Sequence, residues 1–257
     1  MIRFTVLGSG TSTGVPSVAC ECPTCTSKDV RDKRLRTSLL VESDTTTVVI
    51  DTSLDFRQQM LSQNVLDIDA VVFTHHHFDH IGGFDDIRPY NFRSGKPLAV
   101  YALSETAEVL HSTFPYAFGL IESTGASTPS VGLRVIDADP FLIGDIEIVP
   151  IPMRHGRAMR VNGYRIGNLA YCTDTNYIPA SSREMLKGLD TLILDGLRWE
   201  DHPTHFTVDQ AITVINDLGP HEAYLTHIAH QIMHERDEQR LPPNVKFAFD
   251  GLQISYE

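Results

Sequence analysis

The sequence predicts an α+β chain, with β-sheet in both halves and helices packed outside the sheets. Three observations point there. Short apolar runs rich in Val, Ile and Leu recur along the whole chain, and helical stretches fall between some of them. No linker, low-complexity segment or short-period repeat divides it. At 257 residues the chain is long enough for one large core, and a single domain over 1–257 is expected.

Taken in order, the first strand is Arg3–Leu7, where apolar Phe4 and Val6 alternate with Arg3 and Thr5. Ser38–Glu42 and Thr47–Asp51 follow, the latter β-branched at four successive positions. Leu54–Gln63 has a helical pattern and lacks Gly and Pro. Ala70–Phe73 is apolar throughout, as a buried strand would be. Further strands are expected at Leu98–Tyr101, Leu133–Ile136, Ile146–Ile151, Gly163–Ile166, Leu169–Thr173, Thr191–Leu194 and Ala223–Thr226. Helices are expected at Glu105–Phe114, Ser182–Leu189 and Val208–Leu218, the last between an N-capping Thr207 and a stop at Gly219. Phe114–Ser130, rich in Gly, Ser, Thr and Pro, reads as a lid or a surface connection.

The formal net charge of -12 opposes generic binding to nucleic acid or to anionic membranes. No stretch approaches the roughly 20 apolar residues of a membrane span. Met1–Gly8 is too short and too alternating for a signal peptide, so a cytoplasmic protein is expected. One basic cluster, Lys28, Arg31, Lys33, Arg34 and Arg36, reads as a solvated face or a contact for a small phosphate. Three of the four cysteines lie together as Cys20-Glu21-Cys22-Pro23-Thr24-Cys25, a spacing that in a cytosolic protein reads as metal binding before disulfides. Cys172, inside an apolar run, reads as core.

Chemistry concentrates at Thr74-His75-His76-His77-Phe78-Asp79-His80, directly after the strand Ala70–Phe73 and before Gly82-Gly83. Extended backbone lets His75 and His77 converge while His76 points away, and the following turn can deliver Asp79 and His80. Such a set suits a pair of borderline metal ions better than one. The same signature, a ligand type at the end of an apolar strand, recurs at His155, Asp174, Asp195 and His227. Strand ends on one edge of a sandwich can meet in a single cleft.

The order His75-x-His77-x-Asp79-His80, His155, Asp174, His227 resembles the metallo-β-lactamase superfamily over nearly the whole chain. That resemblance implies a four-layer αββα sandwich. It also implies two divalent ions, Mn or Zn: His75, His77 and His155 on the first, Asp79, His80 and His227 on the second, and Asp174 bridging. Two further features are similar to the PhnP-type phosphoribosyl 1,2-cyclic phosphate phosphodiesterases. One is the opening Leu7-Gly8-Ser9-Gly10-Thr11-Ser12-Thr13-Gly14-Val15-Pro16, which also resembles the first loop of tRNase Z and whose glycines are turn residues or present amides to a phosphate. It is not a dinucleotide fingerprint, because three residues separate Gly10 from Gly14. The other is Cys20, Cys22 and Cys25 with a distant His230, which the resemblance makes a closed structural zinc site of four N/S ligands.

The resemblance also places His205 as a general acid, with His202 as the alternative, so His205 and Asp79 are the expected catalytic residues. It implies hydrolysis of a small cyclic phosphodiester by a water that the two metals activate. One alternative is tRNA 3′-end processing of the tRNase Z kind, opposed by the acidic charge and the lack of a long basic insertion. A lactamase or thiolesterase is opposed by the cysteine cluster and His205, and a metal-binding module without turnover is the remaining alternative. A small phosphodiester is the expected partner, with nucleic acid and membrane disfavoured and a homodimer left open.

Overall fold

The computed structural model describes residues 1–120 and 128–256. Its first sheet is built from β1 (Ile2–Gly8), β2 (Ser38–Glu42), β3 (Thr47–Ile50), β4 (Ala70–Val72), β5 (Leu98–Ala102) and β6 (Val131–Val135). The second is built from β7 (Phe141–Ile143), β8 (Ile146–His155), β9 (Met159–Ile166), β10 (Leu169–Cys172), β11 (Thr191–Asp195), β12 (Glu222–Thr226) and β13 (Val245–Phe247). β14 (Gln253–Tyr256) returns to the first sheet and pairs with β1. The strand orders are β14-β1-β2-β3-β4-β5-β6 and β7-β8-β9-β10-β11-β12-β13. Both sheets follow one plan. Three antiparallel pairings come first, then three parallel ones, from β3 to β6 in the first sheet and from β10 to β13 in the second.

The alternation of side chains along each strand sorts the apolar residues into layers. Leu39, Val41, Val48, Ile50, Ala70 and Val72 of the first sheet share a core with Ile148, Tyr164, Leu169, Tyr171, Ile193 and Tyr224 of the second. Their neighbours Leu40, Val49, Val71 and Phe73 face outward, against Phe56, Ile81, Phe84 and Leu110. On the far side Ala170, Leu192, Leu194 and Leu225 pack against Val208, Ala211, Ile215 and Leu218. Helix, sheet, sheet, helix: this is the αββα sandwich. The helix Val208–Leu218 has its expected ends. Thr207 accepts from the Gln210 amide while the Gln210 side chain accepts from the Thr207 amide, and Gly219 stops the helix at φ +65°.

The hairpin β8–β9 is longer than expected, although Pro150 and Pro152 lie within it. The amide of Arg154, on the same parity, bonds Tyr177 away from β9, so the prolines also aim their missing N–H groups away from the ladder. The strands β7, β13 and β14 and the helix Arg88–Ser94, which starts with Pro89 in its first turn, were not expected. Within Phe114–Ser130, residues 121–127 lie outside the described residues. Phe114 and Phe118 pack on Phe84 in the outer core. Among the described residues no helix is long and apolar enough to cross a membrane.

Candidate metal centre

The parallel strands of both sheets end on a common cleft. β3 runs into Asp51, β4 into Thr74 to His77, β10 into Asp174 and β12 into His227, while β11 and β8 bring Asp195 and His155 at their last positions. Asp51, Asp174 and His227 have φ of 66°, 53° and 59°. Left-handed backbone at a residue with a Cβ costs about 1–3 kcal/mol and persists only where the surroundings impose it. Here the turn aims each side chain back into the cleft. Asp79 and His80 come from the short helix Phe78–Ile81.

Two overlapping donor sets result. His75, His77, His155 and Asp174 each place a ligand atom within 4.8 Å of the others, and so do Asp79, His80, Asp174 and His227. Asp174 belongs to both. Its Oδ1 lies 3.9 Å from His75 Nε2 and 3.3 Å from His227 Nε2, and its Oδ2 lies 3.1 Å from His80 Nε2. The His75 and His77 rings are 4.7 Å apart, while His76 is turned away and half-buried. All seven residues expected at a metal pair are therefore together.

Three of the imidazoles are oriented through Nδ1. His80 Nδ1 donates to Asp51 Oδ2 at 2.7 Å, His155 Nδ1 to the Thr204 carbonyl at 2.8 Å, and His75 Nδ1 to Thr74 Oγ1 at 3.0 Å. Thr74 in turn donates its hydroxyl and its amide to Asp51, both at 2.8 Å. With Nδ1 so engaged, Nε2 is the nitrogen that each ring turns to the cleft, where a metal ion could take it. The buried Nε2 atoms of His75, His80 and His227 have no hydrogen-bond partner. Orphaned buried nitrogens of this kind are costly unless a cation takes them, so the donors fit divalent metal ions.

The charges agree. Burial opposes a proton on His80, but Asp174, Asp51 and Asp79 outweigh it and raise its pKa well above the ordinary value. Three carboxylates converging on one imidazole demand positive charge, and a divalent ion supplies more of it than one proton. Burial brings His155 down to about 4 and holds His75 far below the usual range, so both present neutral, ligating nitrogens.

Beside these sets lies His205, whose Nδ1 donates to Asp195 Oδ2 at 2.7 Å. Burial would lower its pKa, but the Asp195 carboxylate wins and raises it to about 9. Asp195 is fully buried and also accepts from the Thr175 amide. The His205 ring lies 4.6 Å from that of His155 and stacks on His227 at 4.5 Å. His202 is 5.0 Å from His205 and engages Thr204.

A separate cluster holds Cys20, Cys22, Cys25 and His230. His230 Nδ1 lies 3.2, 3.5 and 3.6 Å from the three sulfurs in that order. Ligands on a zinc tetrahedron with bonds of about 2.3 and 2.1 Å stand roughly 3.6 Å apart. The Cys25 amide donates to Cys22 Sγ and the Ser17 amide to Cys25 Sγ. Burial opposes ionisation of Cys22, yet the Cys25 amide and neighbouring thiols bring it down to about 6, whereas burial pushes Cys25 up to about 11. Cys172 is buried elsewhere in the outer core.

Two expectations change. In the opening loop the amides of Ser9, Gly10, Thr11, Gly14 and Val15 are taken by internal partners, so little is left for a phosphate. The glycines serve close approach, since a Cβ on Gly8 would sit 2.0 Å from the Arg36 carbonyl oxygen. Four of the five basic residues are engaged internally: Arg31, Arg34 and Arg36 pair with Asp29, Asp32 and Asp55, and Lys33 donates to the Cys25 carbonyl. Asp51, which orients His80, had no expected role, although it carries the same strand-end signature as the others.

The model of the beta-lactamase superfamily domain matches residues 46–228, a span that contains every donor of the two cleft sets. The chain belongs to the metallo-β-lactamase superfamily. Within that superfamily it is similar to a crystallised diphosphatase of the PhnP family, 41% identical, covering 98% of this chain and 96% of that one with a TM-score of 0.92. It is also 41% identical over 256 residues to an octanoyltransferase of Porphyromonas gingivalis, covering 98% of this chain but 51% of that protein. The chain thus spans about half the length of that relative. A ribonuclease Z of Methanopyrus kandleri is 24% identical, over 86% of this chain and 91% of that protein. Membership of this superfamily and the two His/Asp donor sets make the cleft a candidate site for divalent metal ions.

Proposed function

We propose that this protein is a dinuclear metal-dependent phosphodiesterase that opens a small cyclic phosphodiester such as a phosphoribosyl 1,2-cyclic phosphate. The observation that carries the reading is His205, locked on buried Asp195 and stacked against the double donor set. Simple hydrolysis of an acyl bond has less need of a fixed donor kept protonated there than expulsion of an alkoxide does.

In this reading His75, His77 and His155 would hold one ion and Asp79, His80 and His227 the other, with Asp174 within reach of both, the ions being Mn or Zn. Such a pair, when bound, polarises phosphoryl oxygens and lowers the pKa of a water towards neutrality. The chain supplies the rest. Asp51 and Thr74 fix the rings of His80 and His75. Burial would raise the Asp79 carboxyl, but His80 and His227 outweigh it and hold it well below the usual range, so it stays anionic. His205 Nε2 gives its proton to the leaving oxygen, and Asp195 keeps the imidazolium formed before that step. Cys20, Cys22, Cys25 and His230 hold a structural zinc away from the reaction.

A second reading comes from the PhnP-family relative named as a diphosphatase: cleavage of a phosphoanhydride in the same cleft. A phosphate leaving group needs the acid less, which separates the two. The octanoyltransferase name belongs to a protein about twice the matched length. Acyl transfer through a thiol has no support in this cleft, because Cys172 is buried and pushed up to about 12 by that burial. The net charge of -12 disfavours a tRNA substrate.

The test is a parallel assay of the metal-loaded protein on a 1,2-cyclic ribose phosphate, a 2′,3′-cyclic nucleotide, a phosphoanhydride and a tRNA precursor. The cyclic ester is expected to turn over best. His205→Ala is expected to lose about 10²–10⁴-fold on it and much less on a p-nitrophenyl ester. Preference for the phosphoanhydride with little dependence on His205 would favour the diphosphatase reading instead.

A further inference from the structure

His227 differs from the other buried imidazoles of the cleft in one respect. His75, His80 and His155 are aimed by hydrogen bonds through Nδ1, whereas neither ring nitrogen of buried His227 has a hydrogen-bond partner. Its direction depends on its backbone, which holds a left-handed φ of 59°, and on stacking against His205. What fixes that backbone is the segment that follows. This segment has no regular structure until the helix His234–Glu238 and is pinned from outside at nearly every residue. Ile228 exchanges hydrogen bonds with Ser9 and Thr11, Ala229 donates to the Leu197 carbonyl, and the Ile232 carbonyl accepts from buried Arg34 at 3.0 Å. Met233 donates to Asp237 and His234 to Asp32, both at 2.8 Å. In the middle, three residues after His227, stands His230 among the three cysteines.

We infer that the Cys20–Cys22–Cys25–His230 cluster, when it holds zinc, is a positioning device for His227, and so sets the affinity of the cleft for one of its two ions. This rests on the reading of that cluster as a zinc site. The route is short. The cysteine loop is anchored to the body of the protein through Val15 and Arg34, which bond each other both ways, and through Lys33 to the Cys25 carbonyl. A closed tetrahedron fixes His230 to that anchored loop. The backbone from His227 to Ile232 is then held at both ends, and the strained His227 conformation has nowhere to relax. The other ion depends on this less, since His75, His77 and His155 lie on other segments and only Asp174 is common to both sets.

The experiment is calorimetric titration of the chelator-treated, reduced protein with Mn²⁺, with and without one prior equivalent of Zn²⁺, which the thiolates take in preference to Mn²⁺. With zinc in place two Mn²⁺ are expected. Without it, one is expected to keep its Kd and the other to bind about tenfold more weakly, the scale of a lost supporting interaction. His230→Ala, checked for native circular dichroism, is expected to behave like the zinc-free protein even after Zn²⁺ is added. Unchanged Kd values for both ions, or equal weakening of both, would overturn the coupling. A total of two ions bound by the wild type would instead remove the zinc cluster itself, and the inference with it.

Discussion

Replacing Asp195 by asparagine tests the acid most directly. The carboxylate accepts from His205 Nδ1 at 2.7 Å and from the Thr175 amide at 2.8 Å, both on Oδ2. The amide side chain is isosteric, and its oxygen in the place of Oδ2 can still accept from both donors, so the fold is kept and the charge is lost. His205 then falls from about 9 to the ordinary imidazole value of about 6.5 or below, a loss of proton affinity of roughly 3 kcal/mol. At pH 8 the protonated fraction drops from about 0.9 to about 0.03, so turnover of an alkoxide-releasing ester falls roughly 30-fold. Bound cations lower both values together, and the difference between the two proteins is what the assay reads. The basic limb of the kcat/KM profile is expected to move down by about 2 pH units. Stability gives a second check of sign. A His pKa raised by folding contributes stability that is complete below about pH 6.5 and is lost as pH rises through about 9. The Asp195→Asn protein should therefore lose more stability at pH 6 than at pH 10, relative to the wild type. A basic limb that stays in place, or an equal loss on a p-nitrophenyl ester, would refute the acid role.

Asp51→Asn leaves His80 Nδ1 without its carboxylate and is expected to weaken one cleft ion about 10–100-fold, read by metal titration. Gly8→Ala places a Cβ 2.0 Å from the Arg36 carbonyl oxygen. Because the obstacle is backbone, the loop must shift, and a loss of roughly 1–3 kcal/mol in denaturant unfolding is expected. A wild-type midpoint would show that the close approach is not required.

The legible part of the site was local. A buried strand followed at once by a ligand residue is visible in the sequence, and the structure gathers His75, His77, His155, Asp174 and His227 as that signature implies. Asp51 carries the same mark but looked idle. Its meaning lies in the sheet plan, where β3 and β10 open the parallel halves of their sheets and run into Asp51 and Asp174, both left-handed. One of these aspartates orients a ligand and the other stands among the ligands, and only the tertiary fold tells them apart. The opening glycines misled for a related reason. Composition cannot say whether a glycine admits a ligand or a neighbouring carbonyl, and here it is the carbonyl of Arg36. In β8, the sequence around Pro150 and Pro152 reads as a strand end. The fold puts both prolines on the side of β8 that turns away from β9.

The two cleft sets have a mechanical consequence as well. His75 and His77 come from the first sheet, His155 and Asp174 from the second; Asp79 and His80 from the first, His227 from the second. Neither set can be completed within one half of the chain. Each ion held there would be a cross-link between sheets that otherwise meet mainly through apolar contact, and would close chain loops of the length separating His75 from His155 and Asp79 from His227. Cross-links across long loops remove the most freedom from the unfolded chain. Loading such a cleft fastens the sandwich along its open edge at the same stroke as it arms the chemistry.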